Sequence, residues 1–251
     1  FQRRTVEHVF QRMYGTDNPT RRFLVADEVG LGKTLVARGV IAKVVEHLWD
    51  QRSINIVYIC SSGDIARQNI RRLNVSSDVE FKSPDRITLL PQHVEDLKKN
   101  KLNFIALTPG TSFDLKNATG RKEERVLLYW MLKSIWKLEG AAPKNVLQVG
   151  VERDNFRRQL KRCGRDRTIS RGLRSAFRAA LADDNAACRA GGRSTLRVRF
   201  NRLCRQLPKA RQWSRIPSET RDEVRSVIGE LRALLAETCI RALSPDLIIL
   251  V

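Results

Sequence analysis

The amino-acid sequence predicts a mixed α/β fold in which an open parallel sheet is interrupted by a large all-helical insertion. Near both ends of the chain, short β-branched apolar runs alternate with helical patterns, and such alternation implies parallel crossovers. Between them, residues 114–243 contain only helical patterns, with 30 Lys and Arg against 14 Asp and Glu. The sequence therefore divides into a nearly balanced α/β region, residues 1–113 and 244–251, and a basic helical insertion, residues 114–243.

Length and composition favour a globular protein. The 251 residues are 42% hydrophobic, which suffices for a full core. No apolar run reaches the roughly 18 residues of a membrane span, and no basic-then-apolar leader precedes the first helical pattern. The five cysteines show no CxxC spacing and there are three histidines, so the sequence predicts neither a zinc site nor disulfides. A cytoplasmic location, without membrane contact, is expected.

Five buried strands are predicted in the α/β region. They are the short apolar runs RFLVA (22–26), INIVYICS (54–61), RITLL (86–90), NFIALT (103–108) and DLIILV (246–251). Helices are predicted over FQRRTVEHVFQRMY, from Thr34 to about Trp49, over DIARQNIRRL, and over PQHVEDLKK, which has Pro91 in its first turn.

The insertion has apolar residues at helical spacing throughout. Its predicted helices are ERVLLYWMLKSIWKL, VERDNFRRQLKRC, SRGLRSAFRAALADD, TLRVRFNRLCRQL and ETRDEVRSVIGELRALLAETCIRAL. In the last, a buried face is predicted at Val224, Val227, Ile228, Leu231, Leu234, Leu235 and Cys239, and Ser218 is available as a cap.

The loop ADEVGLGKT, residues 26–34, lies between the run RFLVA and a helical pattern. Backbone N–H groups at a helix start form an anion cradle, and glycines let the backbone approach a phosphate closely. Here the cradle would consist of Val29, Gly30, Leu31, Gly32, Lys33 and Thr34. Lys33 would reach the β- and γ-phosphates and the Thr34 hydroxyl would bind Mg²⁺. Asp27 stands where the pattern GxxxxGK[ST] begins with glycine.

This loop resembles motif I of the superfamily 2 helicase and translocase ATPases. The resemblance is strongest to the Swi/Snf-like branch, in which an Asp-Glu pair precedes Gly-x-Gly-Lys-Thr. It implies a RecA-like P-loop NTPase lobe that binds ATP and Mg²⁺, with Lys33 and Thr34 as catalytic residues. It also implies an upstream glutamine that recognises adenine, a role that Gln2 would fill.

Two further segments resemble family elements that contact the nucleic-acid backbone. IVYICSSGDIARQNIRRL resembles motif Ia, and LTPGTSF resembles motif Ib. The implied contact residues are Ser61, Ser62, Arg67, Thr108, Gly110 and Thr111. Both segments also have a purely structural interpretation, because Ser-Ser-Gly-Asp is a good turn and helix cap and Pro-Gly is a common loop.

The resemblance covers residues 1–113 and 244–251. It implies an Asp-Glu pair directly after the strand LIILV, where the carboxylates would hold Mg²⁺, and a second RecA-like lobe as partner. The sequence stops at Val251, before such a pair. We therefore expect an incomplete first lobe that hydrolyses ATP only within a longer protein.

The basic charge of the insertion favours an acidic partner, with DNA expected before RNA. Clusters such as Arg157-Arg158 and Lys161-Arg162 could neutralise phosphates, whereas helical spacing favours core positions for Trp130 and Trp136. The resulting hypothesis is the first motor lobe of a nucleic-acid-dependent ATPase, a helicase-like DNA translocase. Two alternatives remain: a P-loop ATPase switch, and a nucleic-acid-binding scaffold whose cradle is vestigial.

Overall fold

The computed structural model describes residues 1–26, 32–51, 53–75, 86–92, 97, 99–107, 119–165, 169–209 and 212–250. These residues form a mixed α/β protein that is mostly helical and contains a small parallel sheet. The chain divides into two units. Unit 1 comprises Phe1–Pro84, Asp96–Pro109 and Ser244–Val251, and unit 2 comprises Asp85–Glu95 and Gly110–Leu243.

Within the described residues, the sheet of unit 1 contains three parallel strands. They are β1 (Ile54–Ile59), β2 (Leu102–Leu107) and β3 (Leu247–Leu250), in the order β2-β1-β3. Ile56 of β1 lies opposite Phe104 on one side and Leu247 on the other. The central strand is apolar at nearly every position because a parallel sheet is covered on both faces. Three of the predicted strands and their parallel arrangement are confirmed.

The described part of unit 1 also includes the helices α1 (Gln2–Tyr14), α2 (Lys33–Leu48) and α3 (Gly63–Leu73). Helices α1 and α2 approach closely because Gly39 has no side chain. A β-carbon on Gly39 would lie 2.6 Å from Cγ2 of Val6. The buried face of α2, which includes Val40, Ile41 and Val44, joins the same core as the sheet residues.

Asp246 fixes the start of β3. Its backbone N–H donates to the Asn55 carbonyl at 2.8 Å, and its carboxylate accepts from the Asn55 N–H at 2.9 Å. The Tyr14 hydroxyl donates to the Asp246 carbonyl at 2.6 Å. These bonds tie the returning strand to both β1 and α1, so its register does not depend on apolar packing alone.

The predicted strand RFLVA is wrong. Residues 22–26, which the structure describes, form no strand, and Leu24 is 84% exposed. A strand requires a hydrogen-bonded neighbour, and these residues pair with no described strand. The apolar composition of residues 22–26 led to the strand prediction, but composition does not reveal whether a neighbouring strand is available for pairing.

The predicted strand RITLL is also wrong. Residues Ile87–Gln92 form a 3₁₀ helix in unit 2, with Ile87 and Leu90 buried. Residues three apart share one face of a 3₁₀ helix, whereas they would lie on opposite faces of a strand. Pro91, predicted in the first turn of a helix over PQHVEDLKK, lies inside this 3₁₀ helix instead. Residues 93–96 and 98 of that predicted helix lie outside the described residues.

Unit 2 is built from helices. They are α4 (Lys122–Trp136), α5 (Ala142–Gln148), α6 (Arg153–Arg165), α7 (Arg171–Ala190), α8 (Leu196–Gln206) and α9 (Ser218–Leu243), with a short 3₁₀ helix at Trp213–Arg215. The five predicted helices are confirmed, and α5 is an addition. Ser218 is the first residue of α9 rather than the residue before it. No helix within the described residues is both long and apolar enough to cross a membrane.

Helix α9 supplies much of the core of unit 2. Its predicted apolar face is confirmed, since Val224, Leu231 and Cys239 are fully buried and Leu234 is partly buried. The sequence did not predict that Arg232 on the same helix is buried as well. Arg232 pairs there with Glu124 of α4.

Candidate functional site

Gly32 marks the start of helix α2. It has left-handed backbone angles, φ 84° and ψ 28°, and its carbonyl accepts from the N–H groups of Leu35 and Val36 at 2.8 and 3.1 Å. Glycine adopts this conformation without the steric cost that a β-carbon brings. The chain can therefore turn sharply into the helix at this residue.

Gln2 lies directly beside Gly32. It is the first residue of α1, and its side-chain nitrogen occupies the space that a β-carbon on Gly32 would need. A side chain at position 32 would displace the amide of Gln2. The structure therefore brings together two predicted site residues that are far apart in the sequence.

The remaining predicted cradle residues are described only in part. Lys33 and Thr34 are the first two residues of α2. Val29, Gly30 and Leu31 lie outside the described residues, as do Asp27 and Glu28. The shape of the cradle stays a prediction, whereas the start of its helix is defined.

Helix α1 is held against α2 by one ion pair and an aromatic cluster. Lys43 binds Glu7 at 2.5 Å and lies 5.5 Å from the ring centre of Phe10. The hydrogen bond from Lys43 lowers the pKa of Glu7 below its usual value. The His47 ring meets Phe10 edge-on at 5.7 Å. These pairs could not be predicted from the sequence, because the spacing of residues along one helix does not reveal which side chains of two helices meet.

The start of α2 has the chemistry of an anion site. The first N–H groups of a helix have no partner within it, and they carry the positive end of the helix dipole. Lys33 adds a full positive charge there, and the first turn contains no acidic residue. The amide of Gln2 adds one donor group and one acceptor. A phosphate with an adjoining polar ring is the kind of ligand that such groups can hold.

The end of β1 carries the first predicted nucleic-acid residues. Ser62 is the N-cap residue of α3, but its side chain makes no capping hydrogen bond. Its carbonyl accepts from the Cys60 thiol at 3.0 Å, and Ser61 beside it is exposed. The capping interpretation of Ser62 is therefore confirmed for its position and not for its hydroxyl.

The other predicted contact residues are less well defined. Arg67 lies within α3, but its side chain is outside what the structure describes. Thr108, Gly110 and Thr111 lie outside the described residues.

The three strands end at one edge of the sheet. Ile59 at the end of β1 lies opposite Leu107 of β2 and Leu250 of β3. In open α/β sheets, ligands bind at the carboxyl ends of the strands. Ser61 and Ser62 follow β1 at this edge, so they occupy a position where a ligand contact is expected.

Metal binding by protein groups alone finds no support in the described part of the chain. Within it, no three His, Cys, Asp or Glu side chains are close enough to hold an ion. A magnesium ion carried by a nucleotide needs fewer protein ligands, since the phosphates supply part of its coordination.

No family model, curated protein or solved structure was found to match the chain.

Proposed function

We propose that this chain is the ATP-binding first motor lobe of a nucleic-acid-dependent ATPase, a helicase-like DNA translocase with a RecA-like fold. The observation that carries the proposal is the contact between Gln2 and Gly32 at the start of α2. One nucleotide would bridge an adenine-recognising glutamine and a phosphate-binding helix start, so these two groups must be close. The positions of Gln2 and Gly32 in the sequence do not by themselves require the two residues to be in contact.

The phosphates would bind at the start of α2. Gly32 gives the backbone its turn, and the N–H groups of the first helical turn would point at the phosphate oxygens. Lys33 would neutralise charge on the β- and γ-phosphates, and Thr34 would contribute its hydroxyl to Mg²⁺. Val29, Gly30 and Leu31 would complete the cradle.

The adenine would bind at Gln2. A glutamine amide matches the N6 donor and N7 acceptor of adenine with its own acceptor and donor. Guanine presents an acceptor where adenine presents N6, so the same amide orientation cannot satisfy both bases. Gln2 would therefore set a preference for ATP over GTP.

The nucleic acid would contact the carboxyl edge of the sheet. Ser61, Ser62 and Arg67 would bind backbone phosphates from the end of β1 and the start of α3. Thr108, Gly110 and Thr111 would do the same beyond the end of β2. In this scheme ATP hydrolysis requires an Asp-Glu pair after β3 and a second lobe. Alternating binding and release of the nucleic acid by the two lobes would then move the protein along the strand.

Binding of Mg-ATP to this chain tests the nucleotide site, with isothermal calorimetry as the measurement. Lys33→Ala should weaken binding at least tenfold, because a charge-assisted phosphate contact contributes about 1.5–3 kcal/mol. Lys43→Ala is the matched control, since Lys43 lies on the same helix but binds Glu7. Equal affinities in the Lys33→Ala and wild-type proteins would overturn the site assignment.

Coupling to nucleic acid needs a second experiment, in a longer protein that contains the acidic pair and the second lobe. Phosphate release from Mg-ATP should be stimulated by DNA. A rate of phosphate release that neither DNA nor RNA changes would instead favour an ATPase switch. Salt-dependent DNA binding without any Mg-ATP binding would favour the scaffold alternative.

A further inference from the structure

Helices α4, α5 and α6 of unit 2 line an open groove with a volume of about 750 Å³. Among the described residues, five cationic side chains line it, against the single carboxylate of Asp154. They are Lys133 of α4, Lys144 of α5, and Arg157, Arg158 and Lys161 of α6. Asp154 also lies 3.7 Å from Arg153, which is not part of the lining, so its charge is partly compensated from outside.

The floor of the groove is aromatic and fixed in place. The Trp130 indole N–H donates to the Leu160 carbonyl at 3.0 Å, which ties α4 to α6. The same ring lies against Gly164, where any side chain would collide with it. Tyr129 meets Trp130 edge-on at 5.4 Å. The rings are therefore positioned before any ligand binds.

The cations are arranged around this floor rather than neutralised. Lys133 lies 4.7 Å from the ring centre of Trp130, and Lys144 lies 5.8 Å from that of Tyr129. Among the described residues, no carboxylate forms an ion pair with Arg157, Arg158 or Lys161. These like charges repel one another. Their clustering therefore indicates either that solvent screens the repulsion or that an anionic partner offsets it.

We propose that this groove binds the sugar–phosphate backbone of single-stranded DNA. The excess of four positive charges on its walls complements a polymer with one negative charge on every nucleotide. Cations beside aromatic surface are the usual combination for single strands, whose bases and sugars offer apolar faces next to each phosphate. In this groove Trp130 is partly exposed, whereas Tyr129 is buried. A double helix keeps its bases stacked in its interior, so the partly exposed Trp130 favours a single strand, whose bases are accessible. An acidic protein segment lacks the regular alternation of charge and apolar faces.

This inference rests on unit 2 alone and not on the proposed nucleotide site. It also specifies the acidic partner expected for the basic insertion as a single strand, and locates its binding at one groove. Contacts to phosphates carry no sequence information, so binding should depend strongly on salt and weakly on base sequence.

Fluorescence anisotropy with a labelled oligothymidylate tests the groove, in the absence of nucleotide and over a range of salt concentrations. Arg158→Ala/Lys161→Ala should lower the affinity about tenfold or more, and should reduce the salt slope by about 1.4, since each lost phosphate contact removes about 0.7. Arg178→Ala/Arg189→Ala is the matched control: both arginines are exposed on α7, outside the groove, and the change in net charge is identical. Arg158→Lys/Lys161→Arg should retain the affinity.

Three results would overturn the proposal. The first is no binding of oligothymidylate, and the second is an equal loss in both alanine pairs, which would mean diffuse attraction to a basic surface. The third is groove-dependent binding of polyglutamate without binding of oligothymidylate, which would identify an acidic protein as the partner. Because the assay contains no ATP, each of these failures is independent of the Lys33→Ala test of the ATP site.

Discussion

The guanidinium of Arg232 donates two hydrogen bonds to the same carboxylate oxygen of Glu124, at 2.7 and 3.1 Å, and both side chains are completely buried. Thr88 donates to that oxygen as well, and the Arg121 N–H donates to the other at 2.7 Å. Gly120 lies against the pair, where a β-carbon would collide with Arg232. One carboxylate thus joins α4, α9 and the 3₁₀ helix at Ile87–Gln92 in unit 2.

Removing one partner of this pair should strongly destabilise unit 2. In Arg232→Met the buried Glu124 charge loses this guanidinium and keeps the ion pair with Arg86, which lies 3.2 Å from its other carboxylate oxygen. The loss should cost about 3 kcal/mol of unfolding free energy. Urea denaturation followed by circular dichroism measures the loss. Arg241→Ala is the control, because its pair with Glu237 is exposed and contributes at most about 0.5 kcal/mol. A loss below 1 kcal/mol for Arg232→Met would contradict the burial of the charged pair.

The same carboxylate should make stability depend on acid pH. Burial alone would raise the pKa of Glu124, but hydrogen bonds from Thr88 and Arg121 and the charge of Arg232 outweigh it, so the pKa is lowered. The unfolded state, whose glutamates titrate near 4.3, then binds more protons than the folded state. The stabilisation is present above that pH and is lost as pH falls through the folded pKa.

Unfolding free energies measured across this acid range check the pH prediction. Glu124→Gln should be less stable than the wild-type protein at neutral pH and should lose less stability on acidification. Parallel pH profiles for the two proteins would show that Glu124 is not the titrating group.

Much of the fold could be predicted from sequence because its signals are local. The apolar spacing of α9 and the short apolar runs of β1 and β2 identify those elements without reference to a partner. RFLVA and RITLL fail for a common reason, since strand formation depends on a neighbouring strand that composition does not reveal. Ile87 and Leu90 fit a strand by residue type and are buried in a 3₁₀ helix instead.

The candidate site also combines residues that a local sequence pattern identifies with contacts that depend on the fold. Gly32, Lys33 and Thr34 are consecutive, so a sequence pattern identified them. The contact of Gln2 with Gly32 is a long-range one, and only the resemblance to a known family suggested that these residues belong together. Lys133, Lys144 and Lys161 join one groove through the packing of three helices, which no spacing rule predicts.

Gly32→Ala should weaken Mg-ATP binding through the displaced Gln2 side chain. Gly140→Ala is a matched control, because Gly140 also has a left-handed backbone, φ 72°, but has open space where a β-carbon would lie. Both substitutions should cost about 1–2 kcal/mol of stability from backbone strain. Only Gly32→Ala should lower the Mg-ATP affinity in calorimetry, and equal affinities in the two variants would argue against a role for the Gln2 contact.

Gln2→Ala should reduce the preference of the protein for ATP over GTP while leaving phosphate binding intact. The lost amide pairing with adenine corresponds to about 1–3 kcal/mol, so the ratio of ATP to GTP affinities should fall about fivefold or more. Gln11→Ala is the control, since Gln11 lies on the same helix and binds Glu7 instead. Competition of ATP and GTP for a fluorescent adenine nucleotide measures the ratio. A ratio unchanged in Gln2→Ala, with Lys33→Ala still impaired, would keep the phosphate site and remove the adenine assignment.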